Sequence, residues 1–553
     1  MGSTSTISLY SHPKLSHRAQ PVLSRSFCQA RDAPLSFALP FSGTRRCFRL
    51  KRLVVKAAAR PEGGPRQRRV YRQSQSDNAL TTAPVKQIAS FVVPAGVFVA
   101  ATFGAGTNLL SGFTGKLFRE SKQTLNEFAK ELRAFSSVDM SDVLAYTRFW
   151  AGRNFGDEGL FFLAESLGYN QTAEEVSFAA NGITAAGIKA FDGVLQSNIA
   201  LKTLNLSGNP IGDEGVKCLC DILVDNAGVE RLQLSSVDLR DEGARAIAEL
   251  LKNNSILRVL ELNNNMIDYS GFTSLAEALL ENSTIRSLHL NGNYGGALGA
   301  NALAKGLEGN KSLRELHLHG NSIGDEGIRA LMSGLSSRKG KLAVLDIGNN
   351  SISAKGAFHV AEYIKNCKSL LWINLYMNDI GDEGAEKIAD ALKQNRTITT
   401  IDLLDLAYNP IGADGAKALS EVLKFHGNIN TLKLGWCQIG ASGAEFVADM
   451  LRYNNTISIL DLRANGLRDE GAKCLAQSFK VVNEALTSID LAFNEIRDDG
   501  AFAIAQALKA NEDVAVTSLN LANNFLTKFG QSALTDAKDL VYEMNEKEVN
   551  IFF

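Results

Sequence analysis

An acidic pair between two glycines recurs along the sequence and is the first candidate for chemistry. It stands in NPIGDEG at 209–215, NSIGDEG at 321–327 and NDIGDEG at 378–384, with a weaker copy, RNFGDEG, at 153–159. Carboxylates on a tight turn could bind a metal ion or take part in acid–base catalysis. A calcium loop of the D-x-[DN]-x-[DN]-G type with a distant Glu is absent, however, and the regular recurrence favours a structural role.

The glycine that closes this motif sets a period along most of the chain. It recurs at fourteen positions, and nine of the thirteen steps between them are 28 residues. Self-similarity at a fixed period of this length is typical of solenoid proteins, in which each repeat is one supersecondary unit. The positions are Gly159, Gly187, Gly215, Gly243, Gly271, Gly299, Gly327, Gly356, Gly384, Gly415, Gly443, Gly471, Gly500 and Gly530.

Each repeat has the same internal order, as residues 201–226 illustrate. The spacing L-x-x-L-x-L-x-x-N-x-I predicts a short strand with one buried face, and the apolar residues that follow recur at helical spacing. Asn209 ends the strand, and we expect its amide to satisfy backbone groups of its own and neighbouring repeats. Eleven of the fourteen repeats have Asn there, and the other three have Arg153, Val237 and Cys437.

The acidic residue of the motif is placed to cap a helix. Asp213 stands where the helix is predicted to begin, so its carboxylate could accept hydrogen bonds from free amides and meet the positive helix end. Seven repeats have Asp at this position, and Gly212 and Gly215 suit a tight turn and close packing. Other repeats offer a hydroxyl one residue earlier, at Thr184, Ser353 and Thr527.

One repeat breaks the period, because the step from Gly384 to Gly415 is 31 residues. Its sequence TTIDLLDLAYNPIG would match its neighbours if three residues were removed. We expect a β-bulge just before the strand, near Leu403 and Leu404, which could re-aim side chains. A plain surface insertion is the alternative.

The pattern resembles the leucine-rich repeat family, specifically its ribonuclease-inhibitor-like subtype, over residues 142–543. The resemblance implies an α/β horseshoe of about 14 repeats of 28–31 residues, with parallel strands on the concave face and helices on the convex face. Similar repeats occur in NOD-like receptors and Ran GTPase-activating proteins. Members of this subtype usually bind proteins through the concave face or its rims, so the resemblance implies a binding scaffold and no enzyme.

The first 57 residues carry the signals of a targeting segment. They hold ten of the 58 lysines and arginines but only one acidic residue, Asp32, and they are rich in Ser. This is the composition of an organellar transit peptide. VVKAAA at 54–59 resembles a plastid processing site with cleavage between Ala57 and Ala58. We therefore expect a plant chloroplast protein, in the stroma or associated with a membrane, in preference to a mitochondrial one.

Residues 87–115 contain no charged side chain and are long enough to cross a membrane, although Pro94 and several glycines interrupt them. They are a candidate membrane anchor, and a buried linker is the alternative. Around them we expect a basic disordered linker at 58–86, an N-terminal capping helix at 116–141 and a C-terminal tail at 544–553.

Charge and cysteine content narrow the function further. The formal net charge is −1, and the chain after residue 57 is mildly acidic, which argues against nucleic-acid binding because such proteins carry a basic face. The seven cysteines include no C-x-x-C pair. Neither a disulfide framework nor a structural zinc site built on such pairs is therefore expected.

The concave face is where differences between repeats could create a binding site. Side chains between the strand leucines point there, and the central repeats combine three of the seven histidines with aromatic side chains, which are typical binding anchors. The predicted partner-binding residues are His289, His317, His319, Asp346, Trp372, Asn374, Tyr376, Lys433 and Trp436. Two alternatives stay open: a solvated face without a role, and a metal site at His289, His317 and Asp346, since adjacent strands lie about 4.8 Å apart.

Together these patterns predict a non-enzymatic scaffold or adaptor in the plastid that binds a protein partner through the concave face. It would need no cofactor and would not bind nucleic acid, and any membrane association would involve 87–115. The alternatives are a GTPase-activating or other regulator of a small GTPase, and the metal-binding face. No Ser or Cys stands in a constrained nucleophile turn, which disfavours a catalytic triad.

Overall fold

The computed structural model describes Gly152 and residues 154–395, 401–479, 484–511 and 514–553. The segments predicted as a transit peptide, a basic linker, an apolar segment and a capping helix lie outside the described residues; they are 1–57, 58–86, 87–115 and 116–141. Among the residues that are described, no helix combines the length and apolar character needed to cross a membrane.

A strand, a turn and a helix alternate through the described region, as the repeat spacing predicts. The strands are β1 (Glu175–Ser177), β2 (Thr203–Asn205), β3 (Arg231–Gln233), β4 (Val259–Glu261), β5 (Ser287–His289), β6 (Glu315–His317), β7 (Val344–Asp346), β8 (Trp372–Asn374), β9 (Leu403–Asp405), β10 (Thr431–Lys433), β11 (Ile459–Asp461), β12 (Ser488–Asp490), β13 (Ser518–Asn520) and β14 (Asn550–Phe552).

Helices occupy the other side of each repeat, and a short 3-10 turn, Lys189–Phe191, joins the second to the third. The helices are α1 (Gly156–Tyr169), α2 (Ala185–Ile188), α3 (Val194–Ser197), α4 (Gly212–Leu223), α5 (Asp241–Asn253), α6 (Tyr269–Glu281), α7 (Gly296–Gly309), α8 (Gly324–Ser337), α9 (Ala354–Asn366), α10 (Gly381–Gln394), α11 (Ala413–Leu423), α12 (Gly440–Leu451), α13 (Arg468–Phe479), α14 (Asp498–Ala510) and α15 (Lys528–Asn545).

The described strands form one 14-stranded parallel sheet in chain order, so each strand pairs with the strands of the adjacent repeats. Equivalent positions are in register, for example His289 with His317. Strands lie about 4.8 Å apart whereas packed helices lie about 8–10 Å apart, so the sheet must form the inner, concave side. This confirms the predicted α/β repeat architecture. Residues 544–553, predicted as a tail, contain β14, which extends the sheet beyond β13.

The leucines of the repeat form the core between sheet and helices. Leu201, Leu204 and Leu206 are fully buried, and so are Val216 and Leu219 on the inner face of α4. Each such side chain contributes roughly 1.5–3 kcal/mol when buried. One repeat alone has nothing to cover its apolar faces, so the core exists only because adjacent repeats stack.

The asparagine after each strand links consecutive repeats, as predicted. Asn209 is 1% exposed, and its Nδ2 donates to the carbonyl oxygens of Phe178 (2.9 Å) in the preceding repeat and Leu206 (2.7 Å) in its own. Its Oδ1 accepts from the N–H groups of Asn181 (2.8 Å) and Ile183 (3.1 Å). One side chain thus satisfies four backbone groups of the turns, and we call this row of residues the asparagine ladder.

Two described repeats lack the ladder asparagine, and the backbone compensates locally. Val237 and Cys437 occupy the position and are buried. In the repeat before Cys437, the N–H of Ile411 donates instead to the carbonyl oxygen of Asn409, two residues earlier, at 2.7 Å. Cys437 Sγ lies 3.5 Å from the carbonyl oxygen of Leu406. Burial raises the pKa of this thiol to about 12, so it stays neutral and bonds weakly.

We expect Cys437→Asn to stabilise the fold by about 1–2 kcal/mol, because an amide forms stronger hydrogen bonds to these backbone groups than a thiol does. Denaturant titration followed by circular dichroism would show a higher midpoint with an unchanged slope. Cys220→Asn is the matched control, since Cys220 lies on the apolar face of α4 and is 4% exposed, so the amide there should destabilise the fold. A loss of stability in both variants would contradict the role assigned to the ladder.

The acidic residue of the repeat motif caps the helix of the next repeat, which corrects the prediction that it caps its own. Helix α4 begins at Gly212 without a side-chain cap, whereas Asp213 Oδ1 accepts from the N–H groups of Arg240 (2.7 Å) and Gly243 (3.0 Å) around the start of α5. The coil places each carboxylate beside the next helix N-terminus, where free amides and the helix dipole stabilise it. Equivalent bonds are accepted by Asp241, Asp325, Asp382 and Asp469. The hydroxyl caps predicted at Thr184, Ser353 and Thr527 are confirmed.

The prediction of a bulge near Leu403 and Leu404 is wrong. Both residues belong to β9, which pairs in regular register with β8 and β10. The three additional residues fall instead between Asn395 and Ile401, where most other repeats have two residues. Residues 396–400 lie outside the described residues.

Candidate partner-binding face

The first and third residues of each strand lie on the opposite side from the buried middle residue, so they form rows across the concave face. All nine predicted partner-binding residues lie on this face or at its rim. His289, His317, Asp346, Asn374 and Lys433 are third strand residues, Trp372 is a first residue, His319 and Tyr376 lie two residues beyond their strands, and Trp436 lies in the following turn. Four of them belong to two groups described below, a histidine cluster with His289 and His317 and an aromatic ridge with Tyr376 and Trp436, and His319 is also part of the ridge.

The histidine cluster consists of His289, Glu315 and His317, with Ser287 beside them. The rings of His289 and His317 stack, with centroids 4.1 Å apart and planes 5° apart. Ser287 Oγ donates to Glu315 Oε2 (2.7 Å) and lies 2.8 Å from His289 Nε2, which must then donate its own proton to the hydroxyl. Burial, followed by the charge of His317, lowers the pKa of His289 to about 4, so this ring is neutral at pH 7.

Asp346 is the most enclosed carboxylate beside this cluster. It is 7% exposed and accepts hydrogen bonds from Asn374 Nδ2 (2.9 Å) and the N–H of Gly348 (3.1 Å). The Nδ1 atoms of His317 and His319 lie 3.8 and 3.7 Å from its oxygens. Burial alone would raise the pKa of Asp346, but its contacts with the two histidines and Gly348 outweigh burial and hold the pKa far below its usual value. Asp346 is therefore a fixed negative charge on the face.

The two histidines of the predicted metal set lie together, as expected. The carboxylate grouped with them is Glu315 and not the predicted Asp346. Potential ligand atoms of His289, Glu315 and His317 all lie within 4.8 Å of one another. Asp346, the third member of the predicted set, lies on the other side of His317, next to its Nδ1. Glu315 precedes His317 by two residues in β6, and this period of two, which puts both on one face, is the signal that could have identified it.

The aromatic ridge runs along the rim where the strands end. Its side chains are His319, Tyr376, Tyr408, Trp436 and Phe493, and successive ring centroids lie 6.0, 4.9, 5.1 and 5.9 Å apart. These separations are typical of favourable aromatic pairs. Tyr408, Trp436 and Phe493 are 37, 43 and 47% exposed, so the ridge is a continuous apolar surface open to solvent.

Sequence analysis missed Tyr408 and Phe493 because neither stands between two strand leucines. Both occupy the position directly before the ladder asparagine, as Met377 and Trp436 do directly before their own ladder residues. Other repeats have small or polar residues there. A run of large apolar residues at one repeat position was the available signal, and it lies just outside the rows expected to face the partner.

Comparison with known proteins agrees with the repeat architecture. Seven segments match the family model described as "Leucine Rich repeat"; they are residues 197–220, 309–332, 366–389, 394–420, 428–448, 453–476 and 482–505. These segments match leucine-rich repeats, and the described strands and helices have the repeating α/β fold of such repeats. Each matched segment covers part or all of the strand, turn and helix of one repeat.

Two solved structures are similar to this chain at low sequence identity. An internalin (inlF) from Listeria monocytogenes is 19% identical over 68% of this chain and 92% of that chain, with a TM-score of 0.40. A chain of the Rad7 and Elc1 complex in yeast is 14% identical over 66% of this chain and 95% of that chain, with a TM-score of 0.37. No curated protein matches the chain.

Three of the five ridge residues, and Met377 beside them, have a backbone conformation that large side chains rarely adopt. Met377, Tyr408, Trp436 and Phe493 all have φ of +57°. At this left-handed position a bulky residue costs on the order of 1 kcal/mol or more, whereas Gly and Asn are tolerated. Gly and Asn do occupy the position in other repeats, as Gly208, Gly292, Gly320, Asn264, Asn349 and Asn523. Retained strain of this kind is typical of functional sites.

Carboxylates lie on the concave face beside the apolar ridge. The cationic side chains of the face are each paired with a carboxylate, as Lys433 Nζ is with Asp405 (3.0 Å) and Arg463 Nη2 is with Asp461 (2.6 Å). Within the described part of the chain, no lysine or arginine forms an ion pair with Glu315, Asp346 or Asp490. The face therefore combines aromatic surface with carboxylates that form no ion pair with a lysine or arginine among the described residues.

Proposed function

We propose that this protein is a non-enzymatic scaffold that binds a protein partner across the concave face of its leucine-rich repeat domain. The aromatic ridge is the observation that carries the proposal. It is continuous from His319 to Phe493 and exposed to solvent, and its residues Tyr408, Trp436 and Phe493 stand at positions where a large side chain strains the backbone. Rigid aromatic side chains give large contact area at a small entropic cost, which makes them frequent hot spots.

The chemistry of the face indicates the kind of partner segment it would bind. Aliphatic or aromatic side chains would pack on the ridge, where Tyr408 and Trp436 stack at 5.1 Å. Basic side chains would be favoured beside Asp346 and Asp490, because charges of opposite sign steer and orient association. We therefore infer a partner segment in which apolar residues alternate with, or flank, Lys or Arg.

A random 16-residue peptide library displayed on phage, selected on the immobilised full-length protein, tests this inference. Enriched peptides should combine an aromatic or large aliphatic residue with at least one neighbouring Lys or Arg. A counter-selection on the double variant Tyr408→Asn, Trp436→Asn should remove them. Enrichment of acidic or featureless peptides, or equal recovery on the double variant, would refute the proposed binding mode.

We propose further that the domain is of the ribonuclease-inhibitor-like subtype and that the protein works in a plant plastid. The period near 28 residues and a helix of 11 to 14 residues in most described repeats support the subtype. The Arg- and Ser-rich composition of residues 1–57 supports the destination. A stromal or membrane-associated scaffold of this kind would assemble plastid proteins.

A fluorescent protein fused to residues 1–57 is expected to accumulate in plastids of plant cells, because the segment is basic, hydroxylated and almost free of acids. N-terminal sequencing of the imported product should begin at Ala58. The control is the same chain without residues 1–57, which should stay outside the organelle. Fluorescence in mitochondria, or import of the shortened chain, would show that residues 1–57 are not a plastid transit peptide.

A further inference from the structure

The histidine cluster on β5 and β6 has a role that partner binding through the ridge does not explain. His289, Glu315 and His317 place two imidazoles and a carboxylate with their potential ligand atoms within 4.8 Å of one another. Two histidines and one glutamate form a donor set well suited to zinc, whose three-ligand sites leave one coordination position open. We propose that these three side chains form a Zn²⁺ site on the concave face.

Hydrogen bonding leaves each histidine ring with a nitrogen available to the metal. Ser287 Oγ gives its only proton to Glu315 Oε2, so His289 Nε2 donates to Ser287 and the other ring nitrogen, Nδ1, keeps its lone pair. His317 Nδ1 faces the Asp346 carboxylate, which favours a proton on that nitrogen and a lone pair on Nε2. Each ring thus has one nitrogen that these contacts do not occupy.

The surrounding residues resemble the outer shell that zinc sites use to orient their ligands. Ligating histidines usually donate their second N–H to a carboxylate, a carbonyl or a water. Asp346 is placed to take this role for His317, with its carboxylate 3.8 Å from His317 Nδ1, and Asp346 is itself held by Asn374 at 2.9 Å. Ser287 orients both His289 and Glu315.

Electrostatics at the cluster also favour a cation. Glu315 and Asp346 have no ion pair with a lysine or arginine among the described residues, and Arg231 on β3 pairs with Glu261 at 3.2 Å. A divalent ion between neutral imidazoles would compensate these two carboxylates.

The side chains must converge slightly to bind one ion. Zn–N distances of about 2.0–2.1 Å in a tetrahedral site put ligand nitrogens about 3.4 Å apart. The stacked rings, 4.1 Å between centroids, therefore have to tilt toward each other. All three side chains are partly exposed, so rotation about their side-chain bonds on a fixed sheet would supply this movement. The open fourth position would hold water or a side chain of a bound partner.

Zinc titration of the chelator-treated full chain, in competition with a chromophoric chelator, tests the site. We expect one tight Zn²⁺ per chain, with His317→Asn or Glu315→Gln weakening binding at least 100-fold. Asp346→Asn, which alters only the outer shell, should weaken it roughly 10–100-fold. His359→Asn is the matched control, since His359 lies half-buried on the outer helix α9 and should leave binding unchanged.

Cobalt substitution identifies the donor atoms independently. Co²⁺ in the proposed site should give visible bands of a four- or five-coordinate ion without the intense near-ultraviolet band of thiolate ligands. Circular dichroism spectra identical to wild type would show that the variants remain folded. Binding that is unchanged in His317→Asn, lost in His359→Asn, or accompanied by a thiolate band from the cysteines would overturn the proposal.

Discussion

Replacing Tyr408 and Trp436 together with asparagine is expected to weaken partner binding at least 100-fold while leaving thermal stability equal to wild type or higher. Their rings stack at 5.1 Å in the centre of the ridge, and central aromatic hot spots commonly cost about 2 kcal/mol or more each when truncated. Asparagine is chosen because Asn264 and Asn349 occupy the same repeat position at φ of +54° and +50°. The variant thus removes the rings and relieves backbone strain at the same time.

Affinity for a peptide enriched by the wild-type protein, measured by fluorescence anisotropy, would quantify the loss. The control is the pair Phe425→Asn and Tyr453→Asn, because these rings are 65 and 60% exposed and lie 6.3 Å apart, outside the ridge. It removes the same number of exposed rings and should leave affinity within about twofold of wild type. Equal losses of affinity in the two double variants would mean that the peptide binds nonspecifically to exposed aromatic side chains and not to the ridge.

Asn265→Ala is expected to lower the free energy of unfolding by about 3–5 kcal/mol. Its Nδ2 donates to the carbonyl oxygens of Leu234 (2.8 Å) and Leu262 (3.0 Å), and its Oδ1 accepts from Val237 (3.0 Å) and Leu239 (3.2 Å). The substitution leaves these four backbone groups of two adjacent repeats without this partner, and each buried unsatisfied group costs about 1–3 kcal/mol, partly relieved by water.

Equilibrium unfolding in denaturant measures the effect, and because repeats interact only with their neighbours the variant should also lose a single cooperative transition. Asn253→Ala provides the comparison: this asparagine lies at the exposed end of α5 and bonds only a carbonyl of its own helix, so we expect a change within about 0.5 kcal/mol. Similar losses of unfolding free energy in Asn265→Ala and Asn253→Ala would show that the ladder position has no special effect on stability.

The strand, turn and helix of each repeat could be predicted from sequence because their causes are local and recur. Leu204 and Leu206 alternate as a strand with one buried side requires, and both are fully buried. Asn209 could be assigned a role because a polar residue at a core boundary must bond backbone groups, and it bonds four. Repetition turned each weak local signal into a strong one.

The sequence could not show which group in a neighbouring repeat accepts or donates a given hydrogen bond. Asp213 precedes one helix along the chain and approaches another in space, and a one-dimensional pattern cannot separate the two. The prediction of a bulge at Leu403 is wrong because the sequence alone does not show where in the repeat the three additional residues lie. Their position follows only from the register of β9 with β8 and β10. Tyr408 and Phe493 were not predicted because they lie in the turn after the strand, and the turn conformation, rather than strand alternation, places them on the rim.

The ladder asparagine reaches back to the preceding repeat, whereas the capping aspartate reaches forward to the following one. Duplication or loss of a whole repeat re-forms both sets of bonds, because the new neighbours present the same carbonyls and amides in the same places. A change of any other length would break both sets, unless it falls in a return loop, as the three additional residues before Ile401 do. Evolution can therefore alter this protein in two independent ways: whole units lengthen the surface, and return loops on the opposite edge accept inserted sequence without disturbing it.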